Sequence, residues 1–282
     1  MRFNLIGPFQ IIACDGGVLP VGTPKVSQIL AVLLTHSNDL VTPDTFIQEL
    51  WQHSPPRSAL NTVQTYVHHA RRLLMDEARP DTEHSLLTTR FGGYTMHVDD
   101  SAIDIKVFER LVTRGKDELR AGRYEAAADA LGTALDLWRG PALSNVPTGD
   151  VLAGRIVHLE ELRIRALELR IEAMRLLGRL RELVPELRTL VHDYPLNEWF
   201  HGQLIAALHQ AGRRAEALDA YQKVRRILRE ELGLEPSPDI QWLHERVLSP
   251  VRASPAPAAP VVPVAPRGGG VVVPLWESVG SG

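Results

Sequence analysis

Apolar and polar residues alternate in short runs through the first 22 residues, which contain RFNLIG, FQIIAC and VLPVG. The sequences Gly7-Pro8 and Asp15-Gly16-Gly17 separate these runs, and both are typical of turns. Short alternating runs between turns are typical of strands that pair with their neighbours. The pattern therefore predicts that the chain begins with a small antiparallel sheet.

The pattern then changes to helical spacing in three successive segments. Thr23-Pro24 and Thr42-Pro43 each place a threonine before a proline, the order expected at the N-cap and first position of a helix. Apolar residues at helical spacing follow both pairs: Val26, Ile29, Leu30, Leu33 and Leu34 after the first, and Phe46 and Leu50 after the second. A third helix is predicted over about residues 58–75.

A hairpin is predicted next, in the segment LLTTRFGGYTMHV at residues 86–98. Two strand-like runs flank Phe91-Gly92-Gly93, and paired glycines suit a tight turn. A small sheet, three helices and a terminal hairpin are the layout of a winged helix-turn-helix. Residues 1–98 are therefore predicted to form an α+β winged-helix domain.

Beyond residue 98 the sequence is helical in pattern and contains a repeat. GRYEAA begins at Gly122, GRLREL at Gly178 and GRRAEA at Gly212, and the last two are 34 residues apart, the period of tetratricopeptide hairpins. The longer first interval predicts an insertion, placed at GPALSNVPTGD. Because stacked hairpins bury faces that one hairpin cannot, residues 99–248 are predicted to form an all-α, tetratricopeptide-like domain. A helical bundle with recurring Gly-Arg turns is the alternative.

The composition changes after Leu248, where SPVRASPAPAAPVVPVAPRGGG is rich in Pro, Ala and Gly and has few charges. Such a segment cannot form a packed core, so residues 249–282 are predicted to be a disordered tail. The final VVVPLWESV is either a docking peptide or part of that disorder. The fold class as a whole is predicted to be mainly α.

Charge is distributed unevenly along a chain whose formal net charge is only −3. The stretch between Glu49 and Asp76 contains no acid, and its basic residues are His53, Arg57, His68, His69, Arg71 and Arg72. A local basic segment in a near-neutral protein indicates an anion-binding surface. An ordinary solvated helix face would have the same composition and remains an alternative.

The predicted third helix has one apolar stripe and one polar face. The stripe contains Leu60, Val63, Val67, Ala70 and Leu74. The opposite face and its flanks contain Asn61, Thr62, Thr65, Tyr66, His68, His69 and Arg72. Amide, arginine and threonine side chains can read base edges, so this face is predicted to contact DNA. Arg71 lies nearer the buried side, with a stem long enough to reach a phosphate, and Arg90 at the hairpin tip could reach a neighbouring groove.

Several other kinds of chemistry lack the residues they require. The single cysteine, Cys14, excludes an internal disulfide and favours a reducing compartment, and no signal peptide or membrane span is recognisable, so a cytoplasmic protein is expected. Adjacent helical residues such as His68 and His69 diverge by roughly 100°, which argues against a shared metal. No phosphate-loop, dinucleotide or hydrolase motif is present, so neither an enzyme nor a cofactor is predicted.

Two pairs of segments resemble known domains. NTVQTYVHHARRLL followed by LLTTRFGGYTMHV resembles the OmpR/PhoB-type winged helix, whereas ALDLWRGPAL and GRRAEALDAYQKVRRILREELGLEPSPDIQWLHERVL resemble the bacterial transcriptional activator domain. In this order, over about residues 1–248, they resemble the Streptomyces antibiotic regulatory proteins (SARPs).

The resemblance implies a pathway-specific transcription activator that binds tandem direct repeats at promoters as a dimer and recruits RNA polymerase through its sigma and alpha subunits. By position it implies these DNA-binding residues: Asn61, Thr62, Thr65, Tyr66, His68, His69, Arg71 and Arg72 in the recognition helix, and Arg90 in the wing with Tyr94 supporting it. At His68-His69-Ala70 the family often has serine or arginine, then arginine, then leucine, so weaker electrostatic contact is expected here.

Two alternatives and one corollary accompany this interpretation. A tetratricopeptide-type adaptor whose winged helix binds protein, or a repressor with the same folds, would have the same sequence features. Residues 1–98 contain the whole predicted reading surface, so they are expected to bind DNA alone, although weakly.

Overall fold

The computed structural model describes residues 1–75 and 86–249. The N-terminal part has the order β1 (Arg2–Asn4), β2 (Gln10–Ile12), β3 (Val18–Leu19), α1 (Pro24–Thr35), β4 (Leu40–Val41), α2 (Pro43–Trp51), α3 (Ala59–Met75), β5 (Leu87–Arg90) and β6 (Gly93–Met96). A 3₁₀ turn at Asp100–Ala102 leads into α4 (Asp104–Arg120), α5 (Tyr124–Leu135), α6 (Asp150–Leu176), a 3₁₀ turn at Leu180–Leu183, α7 (Val184–Asp193), α8 (Glu198–Gln210), α9 (Arg214–Leu232) and α10 (Pro238–Leu248). The mainly α class is confirmed. The predicted tail lies, from residue 250 onwards, outside the described residues.

The first sheet is the antiparallel sheet that the alternating pattern predicts. Its order is β1-β2-β3, with Phe3 opposite Ile11 and Ile11 opposite Leu19. These three side chains are buried on one face. Phe3 also forms a parallel bridge to Ile103, so the sheet reaches the beginning of the helical part.

The second sheet contains the predicted hairpin and one strand that the pattern did not indicate. Its order is β4-β6-β5, and β4 has only two residues, too few to show a period. Arg90 pairs with Gly93, so the turn consists of Phe91 and Gly92, with Gly92 at φ 88°. A side chain at Gly93 would overlap the carbonyl oxygen of Val41, which explains glycine where β4 crosses the hairpin.

The first two helices begin as the Thr-Pro pairs predict. The hydroxyl of Thr23 accepts from the N–H of Val26 at 3.4 Å, and that of Thr42 accepts from the N–H of Thr45 at 3.4 Å. The prediction of a single apolar face on α1 is wrong, because every residue from Val26 to Thr35 is buried. This helix lies among α2, α3, α6 and β6, so it has no solvent-facing side.

Each of the three Gly-Arg repeats lies at a helix end, and the first and third join two packed helices, as predicted. Gly122, Gly178 and Gly212 have φ values of 75°, 73° and 74°, the left-handed conformation that ends helices. The N–H of each following arginine donates to the carbonyl five residues earlier, at 2.9–3.0 Å. The packed hairpins at the first and third repeats are α4–α5 and α8–α9, and α10 packs against α8 and α9 at the end of the stack. At the second repeat, α6 packs mainly on α5, and the 3₁₀ turn at Leu180–Leu183 leads into α7, which packs against α8.

The hydrophobic core does not divide at residue 98. One cluster continues from the N-terminal sheet and winged helix into α4, α5 and part of α6, with Phe3, Ile29, Phe46 and Met96 on one side of residue 98 and Phe108, Leu131 and Leu159 on the other. A second cluster includes the end of α6 and α7–α10, with Leu187, Phe200 and Val224. The winged helix and first helical hairpin therefore share one core.

The insertion predicted between the first and second repeats connects the two parts of the chain. It forms the loop between α5 and α6, where Leu143 N–H donates to the carbonyl of Leu5 at 3.0 Å. The side chain of Asn145 exchanges two hydrogen bonds with the backbone of Phe9, at 2.6 and 3.1 Å. The insertion therefore packs against the N-terminal sheet and joins that sheet to the helical part.

A buried carboxylate strengthens the same interface. Asp104, at the beginning of α4, accepts from the N–H groups of Leu5 at 2.7 Å and Ile6 at 2.9 Å, and pairs with Arg139 at 3.1 Å. Burial raises the pKa of Asp104, whereas the two backbone hydrogen bonds and the Arg139 guanidinium oppose that rise. Three elements distant in sequence thus converge on one side chain.

Within residues 1–75 and 86–249, no helix combines the length and the apolar character that crossing a bilayer requires.

Candidate nucleic-acid interface

The buried side of α3 matches the predicted apolar stripe with one exception. Val63, Val67, Ala70 and Leu74 are each at most 2% exposed. The inward assignment of Leu60 is wrong, because this side chain is 48% exposed. Leu60 lies about 60° from Val63 around the helix axis, at the edge of the stripe, so it points partly to solvent.

The predicted reading face of α3 points to solvent. Asn61, Thr65, His68, His69 and Arg72 are exposed, and Thr62 and Tyr66 are half-buried at the flanks. A line of exposed side chains opposite the core contains Asn61, Thr65, His68 and Arg72, at intervals of four, three and four residues. At 1.5 Å per residue this line extends roughly 16 Å along the helix axis.

The acid that precedes this segment, Glu49, does not lie on the outer face of α3. Glu49 is only 2% exposed, and both its carboxylate oxygens accept hydrogen bonds from inside the protein. Along residues 50–75 no acidic residue occurs. The outer face of α3 therefore has positive or neutral groups only.

The hydroxyl groups of the two threonines on this face each donate a hydrogen bond to a backbone carbonyl four residues earlier. Thr62 donates to the carbonyl of Ser58 at 3.0 Å, and Thr65 donates to the carbonyl of Asn61 at 3.0 Å. Each hydroxyl keeps lone pairs, and each methyl group remains free to make apolar contact. Thr65 is therefore suited to touch a thymine methyl or to accept a hydrogen bond, and less suited to donate one.

The adjacent histidines diverge, as the helical geometry predicts. The ring centroids of His68 and His69 are 6.2 Å apart, with the ring planes inclined at 54°. His69 faces the loop before α1, where a cavity of about 220 Å³ is lined partly by Thr23, His69 and Arg72. In the described ranges no group of three or more His, Cys, Asp or Glu side chains is arranged to hold a metal ion.

Arg71 is half-buried, nearer the core side of α3 as expected, and it contacts the hairpin. Its Nε donates to the carbonyl of Leu87 at 3.1 Å, and one of its terminal nitrogens donates to the hydroxyl of Thr89 at 2.9 Å. Both partners belong to β5, so the guanidinium ties α3 to the hairpin. In this structure the Arg71 side chain is held against the wing, and its predicted reach to a phosphate stays a prediction.

The two predicted wing residues occupy opposite sides of the hairpin. Arg90 is exposed at the end of β5. Tyr94 is 8% exposed and packs edge-on against Phe46, with ring centroids 6.0 Å apart. The position of Tyr94 suits support of the wing from within, and leaves little of its ring for direct contact with DNA.

Two exposed residues near this face were missed in the sequence. Gln64 is exposed on α3, on the flank that faces the wing, and its amide could pair with adenine. Phe91, at the hairpin turn, is fully exposed. The helical period of the sequence could have placed Gln64 on the exposed surface, because it lies about 100° from the centre of the apolar stripe. The exposure of Phe91 could not have been predicted in this way, because it depends on which residues of the hairpin form the turn.

Comparison with known families gives two matches, which meet near residue 98. Residues 20–96 match the family described as "Transcriptional regulatory protein, C terminal", and residues 103–248 match the "Bacterial transcriptional activator domain". The second match alone covers about half of the chain.

Individual relatives match across both parts. The chain is 36% identical over 251 residues to "Regulatory protein DnrI" of Streptomyces peucetius, covering 88% of this chain and 92% of DnrI. It is 34% identical over 250 residues to "Transcriptional regulator RedD" of Streptomyces coelicolor, covering 88% of this chain and 71% of RedD.

A solved structure supports the same assignment. The structure of Mycobacterium tuberculosis EmbR in complex with a low affinity phosphopeptide matches with a TM-score of 0.79 and 32% identity, covering 88% of this chain and 64% of that one. The resemblance seen in the sequence is thus confirmed by domain matches, by relatives along most of their length and by a shared fold. The chain belongs to the Streptomyces antibiotic regulatory protein family of transcriptional regulators.

Proposed function

We propose that this protein activates transcription of the genes of one antibiotic or other secondary-metabolite pathway by binding promoter DNA sequence-specifically. The observation that carries the proposal is the line of exposed polar side chains on α3, with no acid on the same face. A major groove about 12 Å wide admits a helix, and these side chains are of the types that read base edges. DnrI, a regulatory protein, and RedD, a transcriptional regulator, agree with this role.

The side chains divide into two groups by what they can contact. Asn61, Thr65, His68 and Arg72 form the line farthest from the core and are assigned to base edges. The side chains at the margins are assigned to the sugar-phosphate backbone: Thr62, Tyr66 and His69 on the flank of α3, and Arg90 on the wing. Arg71 and Tyr94 position the wing and make no primary contact. Phosphate contacts set the affinity and register, whereas base contacts set the sequence preference.

The helical part is assigned to holding two protomers on neighbouring sites and to contacting the sigma and alpha subunits of RNA polymerase. Its tight connection to the winged helix through Asp104 and the insertion loop supports this division of labour. Protomers on direct repeats lie head to tail, with repeats near one helical turn apart so that both recognition helices meet the same DNA face. Linking two binding events raises the overall affinity through effective concentration.

The first experiment selects DNA from a random-sequence library with the full-length chain and then titrates the selected duplex across salt concentrations. Enrichment of a sequence motif, together with an affinity that falls steeply with salt, is expected. Arg90→Ala should reduce the salt slope by about one unit, as loss of one phosphate contact requires. The matched control, Arg226→Ala on the exposed face of α9, should leave the slope unchanged.

The alternatives give different results in the same series. A protein-binding adaptor would enrich no motif from the library. A repressor would enrich a motif but would lower the output of a reporter promoter that carries it. Two selected motifs placed half a helical turn out of phase should abolish cooperative binding and activation, and a full turn should restore part of both; equal activity at both spacings would contradict the side-by-side arrangement.

A further inference from the structure

The turn of the wing presents a bare aromatic ring to solvent. Phe91 is 103% exposed, the highest value for a large apolar side chain in the part of the chain that the structure describes, where Val157 follows at 62%. Isolated exposed apolar residues are common, but a phenyl ring with no covering neighbour is unusual. Phe91 therefore contributes nothing to the core, and its presence at the tip needs another explanation.

The hairpin that carries Phe91 is fastened to the recognition helix. The hairpin pairs along its whole length from Leu87–Met96 to Arg90–Gly93, and the turn has only two residues. Arg71 fastens β5 to α3 through two hydrogen bonds. Because the support is rigid, little backbone freedom would be lost when Phe91 enters a binding site.

The neighbours of Phe91 favour nucleic acid over protein as its partner. Arg90 precedes it and is exposed, and residues 86–98 contain no acid. A protein interface requires a contiguous patch of several hundred square ångströms, which one ring flanked by Arg90 and glycine does not provide. A cation beside a protruding apolar side chain is the combination found in proteins that insert a wedge between base pairs from the minor groove.

We propose that Phe91 is a DNA-intercalating wedge: it enters the minor groove beside the major groove occupied by α3, partly unstacks one base step and bends the duplex. The proposal rests on the DNA-binding function proposed above. Arg90 holds the flanking phosphate or the groove wall while the ring separates the bases. Pyrimidine–purine steps unstack most easily, so the wing should prefer a TA or CA/TG step at a fixed offset from the bases read by α3.

The test uses the duplex selected by the unmodified full-length chain, with 2-aminopurine substituted at successive positions on the wing side. The fluorescence of 2-aminopurine rises when stacking is lost, so the unmodified chain should give a rise at one step. Phe91→Ala should abolish the rise, weaken binding roughly tenfold, within the range for aromatic contacts with bases, and leave the salt slope unchanged. A selection repeated with Phe91→Ala should lose the preference for the flexible step.

Two further variants separate the ring from other effects. Phe91→Leu keeps an apolar wedge and should retain much of the fluorescence rise. Val157→Ala removes an exposed apolar side chain far along the sequence, on α6, and should change neither binding nor fluorescence. Because Phe91 has no covering neighbour, the thermal unfolding midpoint should be the same for Phe91→Ala and the unmodified chain, which excludes misfolding as a cause.

The outcomes also distinguish this proposal from the one on which it rests. If the unmodified chain selects no DNA sequence, the proposed function fails. If it selects one and Phe91→Ala binds that duplex equally well, only the wedge is overturned. Weaker binding by Phe91→Ala without any 2-aminopurine signal from the unmodified chain would also overturn insertion, because the ring would then contact DNA or a second protomer without unstacking bases.

Discussion

The carboxylate of Glu49, on α2, accepts a hydrogen bond from the backbone N–H of Gly149 at 2.6 Å, one hundred residues later at the beginning of α6. Its second oxygen accepts from the N–H of Leu152 at 3.0 Å, and Gln28 donates to the first oxygen at 3.1 Å. Glu49 thus caps a helix of the activator domain from within the helix-turn-helix. A side chain at Gly149 would overlap the carbonyl oxygen of Glu49, so the approach requires glycine. The orientation of α2, and with it α3, is therefore set partly by α6.

Glu49→Gln should destabilise the whole protein by about 2–4 kcal/mol. The amide keeps one acceptor oxygen but turns an N–H₂ group toward backbone donors, and it removes the negative charge from the helix N-terminus. Urea unfolding of the two proteins measures the difference. Glu161→Gln, on the exposed side of α6, is the control and should change stability by less than about 0.5 kcal/mol. Equal unfolding midpoints for Glu49→Gln and the control would contradict the capping role.

The fragment 1–98 should not fold as a stable unit, in contrast to the expectation from sequence that it binds DNA alone. It lacks Phe108, Leu131 and Leu159 from the shared core, and it lacks the two backbone N–H groups of α6 that donate to Glu49. A chain ending at Ser249 keeps both clusters and should unfold at the same temperature as the full chain. Circular dichroism melts of the two truncated chains check both statements. A cooperative melt of 1–98 close to that of the full chain would show that the shared core is dispensable.

Arg71 and Arg72 are adjacent in sequence but should behave differently in DNA binding. Arg71→Ala removes the two hydrogen bonds to β5, so it should lower stability by about 1 kcal/mol and weaken DNA binding with no change in the salt slope. Arg72→Ala should leave stability unchanged and, as a base contact, should weaken binding to the selected duplex by about 1–3 kcal/mol. The measurements are urea unfolding and titration of the selected duplex at several salt concentrations. A reduced slope for Arg71→Ala would return it to the phosphate-contacting set.

His201, in α8, should make the stability of the helical part depend on pH. Burial lowers the pKa of its imidazole, and nearby Lys223 lowers it further, whereas the carbonyl of Pro195 and the charge of Glu198 oppose the shift. Because the folded pKa lies below the unfolded value of about 6.5, protonation favours the unfolded chain. Stability should therefore be complete above about pH 6.5 and should fall as the pH drops from there toward the lowered folded pKa.

Urea unfolding at pH 7.5 and at pH 5.5 measures this effect. His201→Gln can keep a donor toward the carbonyl of Pro195, which His201 contacts at 3.0 Å, and should reduce the difference between the two pH values. His192→Gln, an exposed site on α7, is the control and should leave the difference unchanged. An undiminished pH dependence in His201→Gln would assign it to other groups.

Features with local causes could be predicted from the sequence. A threonine before a proline starts a helix through contacts within four residues, and the glycines at 122, 178 and 212 end helices through backbone conformation. The polar face of α3 follows from its period in the same way. These determinants lie within one or two turns, so the alternation and spacing of residue types reveal them.

Features that depend on distant partners could not be predicted. Glu49 looks like an ordinary exposed acid in a helix until Gly149 is placed beside it, one hundred residues away. Arg71 and Arg72 are both arginines of the same basic segment, and only the position of β5 shows that the Arg71 guanidinium donates to the hairpin. The strand β4 exists because β6 pairs with it, through Leu40 and Thr95. In each case the tertiary arrangement decides the role, and no local pattern reports it.

The most direct test of the central claim, that α3 reads DNA sequence, compares two titrations of the full-length chain and Asn61→Ala. One uses the duplex selected by the unmodified chain, and the other uses a shuffled duplex of the same length and composition, at one salt concentration. Asn61 is exposed at the end of the reading line, and loss of a good base contact costs about 1–3 kcal/mol. The account predicts that Asn61→Ala weakens binding to the selected duplex by roughly five- to a hundredfold and leaves the shuffled duplex unchanged. Equal weakening on both duplexes, or none on either, would contradict it.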